Sequence, residues 1–274
     1  MKRVSKVIKK TNELVESDKR PSSLLSGNKV TGFSVNFPIA NTCRPSKVCI
    51  ETCYYATGGT AWNNSLRKQL WLMNYCRESP SQFAEDIVKE YHKQGLDYLR
   101  WNGGGDLFEE SVDAVNYIGR NHPNVVLWVV TRKADMAALV EDHPNVHLHF
   151  SLDAHSLERR DEALAQVQRP IFFSYQCKKG EKPDIVDLTQ NHGVSLFFFD
   201  NYYLTDPIYE KNFLRFLCPL NLNRTNTGDI SGSCGSCRKC FNNHWLEELG
   251  NPIDDEDITA WESWEKKQKA SVLF

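Results

Sequence analysis

Tyr98-Leu-Arg-Trp-Asn-Gly-Gly-Gly-Asp106 sets the reading of the whole chain. Its first four residues, Tyr98–Trp101, read as a short apolar run broken by Arg100, and the run gives way at once to a glycine turn ending on a carboxylate. Val125–Val130, Val146–Ser151, Ile171–Tyr175 and Val194–Asp200 are runs of the same kind. Between them lie helical patterns near 109–120, 134–141, 155–167 and 183–192. Strand alternating with helix predicts a parallel sheet covered by helices. Strands that are nearly all apolar predict burial on both faces.

Upstream, apolar and polar residues roughly alternate over Lys29–Phe37, which reads as the first strand. Trp62–Arg77 and Ser81–Gln94 carry apolar residues at helical spacing, with Ser79-Pro80-Ser81 as the break and N-cap between them. Six strands running one way predict an α/β fold, a partial (β/α)6 TIM-like barrel. A flat doubly wound sheet is the alternative. Residues 1–28 form a polar extension, a short helix and a loop; residues 29–217 form the barrel; residues 218–274 form a cysteine-rich tail. Helices are expected at 204–217 and over Asp254–Lys269.

With 41% hydrophobic and 25% charged residues, the 274-residue chain has the composition of an ordinary globular protein. A net charge of −2 gives no overall basic field for a nucleic-acid backbone. The longest apolar runs fall well short of the roughly 20 residues that cross a bilayer. The basic N-terminus lacks the apolar segment of a secretory signal, so a cytoplasmic protein is expected.

Nine cysteines, at 43, 49, 53, 76, 177, 218, 234, 237 and 240, are an odd number for a disulfide framework and point to metal instead. Cys76 and Cys177 stand alone and are read as packing residues. Cys43, Cys49 and Cys53 follow the first strand within eleven residues, enough chain to present three thiolates to a cubane while one iron stays free. A structural zinc loop and buried core cysteines are the alternatives. In the tail, Cys234, Cys237 and Cys240 repeat a two-residue spacing, and Cys218 supplies a fourth thiol. That set suits a closed iron–sulfur cluster or a tetrathiolate zinc. Asn221–Ser236 is too poor in apolar residues to order itself without ligation.

Polar residues gather at the C-terminal ends of the strands, where parallel α/β folds build their sites. The cysteine loop is followed by Asn102–Asp106, Thr131-Arg132-Lys133, Ser151 and Asp153, Gln176 and Cys177, and Asp200-Asn201-Tyr202. Together they outline one mouth.

A three-cysteine loop after the first strand and a glycine-rich acidic turn after the second resemble the radical S-adenosylmethionine enzymes. Within that group the chain is most similar to the small phage-encoded proteins of the gene product 88 family, through Cys53-Tyr54-Tyr55-Ala56 and the cysteine-rich tail. The spacing here is five and then three residues where the superfamily has three and then two, and Gly-Gly-Gly-Asp stands for Gly-Gly-Glu. The resemblance implies a [4Fe–4S] cluster on Cys43, Cys49 and Cys53, with S-adenosylmethionine bound at its open iron. It implies that Gly103, Gly104, Gly105 and Asp106 approach the methionyl end, with Ser151 or Asp153 near the ribose and Tyr55, Thr131 and Lys133 alongside. Asp200 and Tyr202 would then face the reacting centre. A flavodoxin or ferredoxin would supply the electron, and the substrate would be a nucleotide, a nucleic-acid base or a peptide. The other class of function in view is a non-catalytic, zinc-stapled binding protein on a degenerate barrel, with nucleic acid as a partner.

Overall fold

The structure, a computed structural model, describes residues 2–14, 19–28, 31–177, 181, 183–199, 218, 234, 238, 240 and 241. Helix α1 (Lys2–Glu13) precedes a short hairpin, β1 (Ser26–Asn28) and β2 (Gly32–Asn36). The cysteine loop then carries α2 (Ile39–Thr42) and α3 (Lys47–Thr52), and α4 (Asn63–Glu78) and α5 (Pro80–Lys93) lead to β3 (Leu99–Gly104). From there strand and helix alternate: α6 (Glu109–Asn121), β4 (Leu127–Thr131), α7 (Ala134–Ala138), β5 (Val146–Leu152), α8 (Glu158–Gln166), β6 (Phe172–Cys177), α9 (Ile185–Gln190) and β7 (Val194–Phe199).

The seven strands lie in the order β1 to β7, antiparallel between β1 and β2 and parallel from there on. A sheet that never reverses its order is not doubly wound. Crossovers of one hand that always step the same way put the crossover helices on the same face. The core agrees: one apolar cluster joins Val35, Trp101, Val129 and Phe150 to residues from each of α4 to α9. The sheet is open, however, because β1 and β7 are not paired with each other. The expected helices and parallel strands are present to within a few residues. The antiparallel β1 was not expected, since three polar residues carry no strand signal. The expected helices at 204–217 and 254–269 lie outside the described residues.

Because the helices take one face, the other face of each strand is free to carry polar groups. Side chains alternate across a strand, so Leu99 and Trp101 go to the helices while Arg100 and Asn102 go to the inner face. In the same way β5 sends His149 and Ser151 inward, and β6 sends Ser174 and Gln176. The near-uniform apolarity expected of buried parallel strands therefore holds on the helix side, while the inner face mixes polar groups with the apolar Trp128, Val130, Phe172 and Leu196. Cys76 and Cys177 are both fully buried in the main core, as packing residues should be.

Candidate functional site

The cysteine loop lies across the C-terminal ends of the strands, and several strands hold it there. Ser46 caps α3, its Oγ accepting from the backbone N–H of Cys49 at 3.1 Å. The same hydroxyl donates to Asp153, just beyond β5. At the other end of α3, Thr52 accepts from the Gln176 amide of β6 at 2.8 Å. The Tyr54 hydroxyl donates to the Gly103 carbonyl of β3 at 2.5 Å, and Thr42 accepts from the Asp106 N–H at 3.0 Å. On the outer side α1 packs Val4 and Val7 against Ile39, Tyr55 and Leu66, with Cys43 and Cys53 at the margin.

Cys43, Cys49 and Cys53 are partly exposed and unbridged. Burial pushes the Cys43 thiol well above its ordinary value, and the charges of Asp106, Cys49 and Cys53 push it further. Cys49 is raised by burial too, but the Arg132 guanidinium works against that. Bound metal charge would oppose the shifts of Cys43 and Cys49 by favouring thiolate. Among the described residues, no group of three or more His, Cys, Asp or Glu side chains is arranged to hold a single metal ion.

The glycine turn answers to neighbours inside the protein. The register slips between Val35 paired with Trp101 and Asn36 paired with Gly104, so Asn102 and Gly103 form a bulge. A side chain at Gly103 would run into Ser34 and Asn36, and one at Gly104 into the Tyr55 ring. Gly105 has a φ of +82°, and a Cβ there would stand 2.7 Å from the Phe37 carbonyl oxygen. Asp106, 5% exposed, accepts from the Thr131 hydroxyl at 2.6 Å and the Leu107 N–H at 2.8 Å on one oxygen, and from the Arg132 N–H at 3.3 Å on the other. Burial raises its carboxyl, against the pull of Thr131 and the Lys133 charge. Lys133, itself lowered by burial, donates to the Leu107 carbonyl at 2.5 Å. Asp106 and Lys133 therefore latch the turn after β3 onto the end of β4.

Arg132 is the hub of the neighbouring strand ends. It donates to Asp153 at 2.6 Å, to Ser151 at 3.1 Å and to the Gln176 oxygen at 2.8 Å. Burial alone would raise the Asp153 carboxyl; the Ser46 hydrogen bond and the Arg132 charge outweigh it and hold the group below its ordinary value. Of the residues expected in the mouth, Tyr55, Gly103, Gly104, Gly105, Asp106, Thr131, Lys133, Ser151 and Asp153 all stand around this end of the sheet. Asp200, Tyr202 and Cys237 lie outside the described residues.

The tail cysteines go elsewhere. Cys234 and Cys240 pack with Phe241 against Tyr98 and Trp128, and Cys218 packs with Phe172 and Leu196. Cys240 touches both groups. These residues sit on the face opposite the helices, at Tyr98 just before β3, Trp128 in β4, Phe172 at the start of β6 and Leu196 in the middle of β7. The described tail cysteines therefore pack in groups separate from the cysteine loop.

Sequence reading missed the polar middle of that face. His149, 2% exposed, accepts on Nδ1 from the Trp128 indole at 3.0 Å and meets the Ser174 hydroxyl through Nε2 at 2.6 Å. Burial, and then the charges of Arg100 and Arg132, lower its pKa to about 3, so the ring is neutral. With Nδ1 accepting, Nε2 carries the proton and donates to Ser174. His149 is thus not a base for that hydroxyl. The period-two polar positions Arg100/Asn102, His149/Ser151 and Ser174/Gln176 were the available signal.

These features define a class of protein: an α/β chain with an open, sequentially ordered and mostly parallel sheet whose strand ends anchor a three-thiol loop. The chain belongs to the gene product 88 family, whose sequence profile matches residues 5–243. No curated protein and no solved structure matches it. No helix among the described residues is long and apolar enough to cross a membrane.

Proposed function

We propose that this chain is an iron–sulfur protein of the radical S-adenosylmethionine type, with a [4Fe–4S] cluster held by Cys43, Cys49 and Cys53. The observation that carries this reading is the mooring of the cysteine loop. A loop with three thiols is fixed over the mouth by hydrogen bonds to β3, β6 and the residues after β5, an investment that a passive connection does not need. A cluster gives each thiolate an iron of its own.

When bound there, such a cluster would supply the single electron that cleavage of the S-adenosylmethionine sulfonium requires. The protein's own part is to hold and shield. Arg132 favours the thiolate form of Cys49 by its charge. Helix α1 covers the outer side of the loop, and the inner face offers Arg100 and Asn102 to a substrate. A flavodoxin or ferredoxin would serve as the one-electron donor. In the same reading Cys218, Cys234, Cys237 and Cys240 hold a second cluster or a zinc.

One observation favours a second reading, a metal-holding binding protein that does not cleave the cofactor. The turn Gly103–Gly105 is filled by Tyr55, Ser34 and Phe37, and both Asp106 oxygens already accept hydrogen bonds. Anaerobic reconstitution with iron and sulfide separates the readings. The radical reading expects a reducible cluster with its electron paramagnetic resonance signal, lost in Cys43→Ala, Cys49→Ala and Cys53→Ala, and 5′-deoxyadenosine released from S-adenosylmethionine. A loaded cluster without cleavage supports the second reading, and a colourless protein holding only zinc ends the first.

A further inference from the structure

We infer that the inner face of the sheet binds an anionic oxygen group, phosphate or carboxylate, of a ligand at Arg100. This deepens the iron–sulfur reading by naming a ligand class for the same mouth, but the binding itself does not require a cluster.

Among the described residues two guanidinium groups serve this face, and they are in opposite situations. Arg132 is neutralised by Asp153 and has Ser151 and Gln176 as further acceptors. Arg100 has no carboxylate partner among the described residues, and its Nε is buried without any hydrogen-bond partner. What Arg100 does have fixes its direction. Its guanidinium carbon lies 4.8 Å from the centroid of the Trp128 ring, and one terminal nitrogen donates to the Tyr54 hydroxyl at 3.2 Å. The Tyr54 proton goes to the Gly103 carbonyl, which leaves the phenol oxygen as the acceptor for Arg100.

A partly buried guanidinium gains some stabilisation from an aromatic face. It lacks the counter-charge that offsets its desolvation. An oxyanion supplies that charge and matches the planar fork of donors. A second unused group stands two residues along the same strand. Asn102 is 4% exposed; its amide nitrogen donates to the Val130 carbonyl, while its Oδ1 has no partner. That oxygen is an acceptor for an O–H or N–H of the same ligand. Tyr54 is 59% exposed and follows Cys53 directly, so the residue that aims Arg100 is the chain neighbour of a triad cysteine.

The test is titration calorimetry on the full chain as purified, with iron measured on the same preparation. Inorganic phosphate, pyrophosphate and succinate serve as separate probes. Wild type should bind at least one of them, and which one binds tells phosphate from carboxylate. Arg100→Gln should lose at least tenfold in affinity with its fold retained by circular dichroism. Tyr54→Phe should lose less, because it keeps the guanidinium but not the acceptor that aims it. Arg120→Gln, a charge removed from the surface pair with Glu141, should bind like wild type. If Arg100→Gln does not fold, Arg100→Lys takes its place, keeping the charge and losing the fork; it too should bind more weakly. Binding of none of the probes to wild type overturns the inference, as does wild-type affinity in the Arg100 variant that folds, or an equal loss in Arg120→Gln. Anion binding in a chain that takes up no iron would leave this site standing and remove the cluster reading; a loaded cluster without anion binding would do the reverse.

Discussion

Arg132 and Asp153 form an ion pair of 2.6 Å at the ends of β4 and β5, and the cysteine loop hangs from its acidic member through Ser46. The Asp153 side chain is wholly buried and that of Arg132 is 11% exposed. Removing one partner of such a pair leaves the other charge buried and uncompensated, which costs about 3–5 kcal/mol. Asp153→Ala should therefore be destabilised on that scale in urea denaturation. It should also free α3, so that amide exchange quickens at Cys49, whose N–H loses a fixed acceptor in Ser46. Unchanged exchange at Cys49 would show that the loop is held without Asp153.

The acid limb of stability should begin near neutrality. His149 is held at about 3 in the folded chain, against about 6.5 for a free imidazole. The unfolded chain thus takes up a proton that the folded chain refuses. Stability contributed by this group falls as pH drops from about 6.5 towards 3, by about 1.4 kcal/mol per pH unit. Asp153 acts later. Its folded pKa is depressed, so its contribution is full above about 3.9 and fades as pH falls through the lower folded value. His149→Gln should flatten the dependence of the urea midpoint between pH 6.5 and 4. An identical slope in wild type and variant would rule out His149 as its source.

The order of elements was legible because each strand announces itself as an apolar run and each helix as a 3.6-residue stripe. The cysteine loop, the strand-end carboxylates and the packing roles of Cys76 and Cys177 were legible for the same local reasons. Which partner satisfies which group was not. Asp106 is an acidic residue after glycines in the sequence; only the fold shows that Thr131, Leu107 and Arg132 use its oxygens. Arg100 was hidden inside what reads as a strand buried on both faces. It becomes visible once α4 to α9 are found on one side.

The glycine at 104 separates an internal from an external role. A Cβ there falls on the Tyr55 ring, so Gly104→Ala should cost about 1–3 kcal/mol as an overpacked contact. In a Tyr55→Ala background the ring is gone and the same change should cost little. The double-mutant cycle in urea measures this coupling. Equal cost in both backgrounds would mean that Tyr55 is not what requires a glycine. Attention would then return to a ligand against the turn.

The last prediction concerns the tail cysteines on the inner face. Phe241 stacks on Tyr98 with ring centroids 4.5 Å apart and on Trp128 at 5.2 Å, and Cys234 and Cys240 lie in the same apolar group. Cys240 also meets the group that buries Cys218, whose N–H donates to the Phe197 carbonyl at 3.0 Å. If ring stacking is what seats these positions, Phe241→Ala should remove about 3–5 kcal/mol of docking energy, the usual cost of a buried phenylalanine. Cys218 should then react faster with a thiol reagent in chelator-treated protein, and Trp128 fluorescence should shift as its indole gains water. The Cys43 triad belongs to neither of these apolar groups, so reconstituted iron there should be unaffected. Wild-type labelling of Cys218 in the metal-free variant would mean that the backbone bond to β7 and the Phe172–Leu196 pocket hold it alone. Protection that appears only when metal is restored would instead give the seating of the tail to its thiolates.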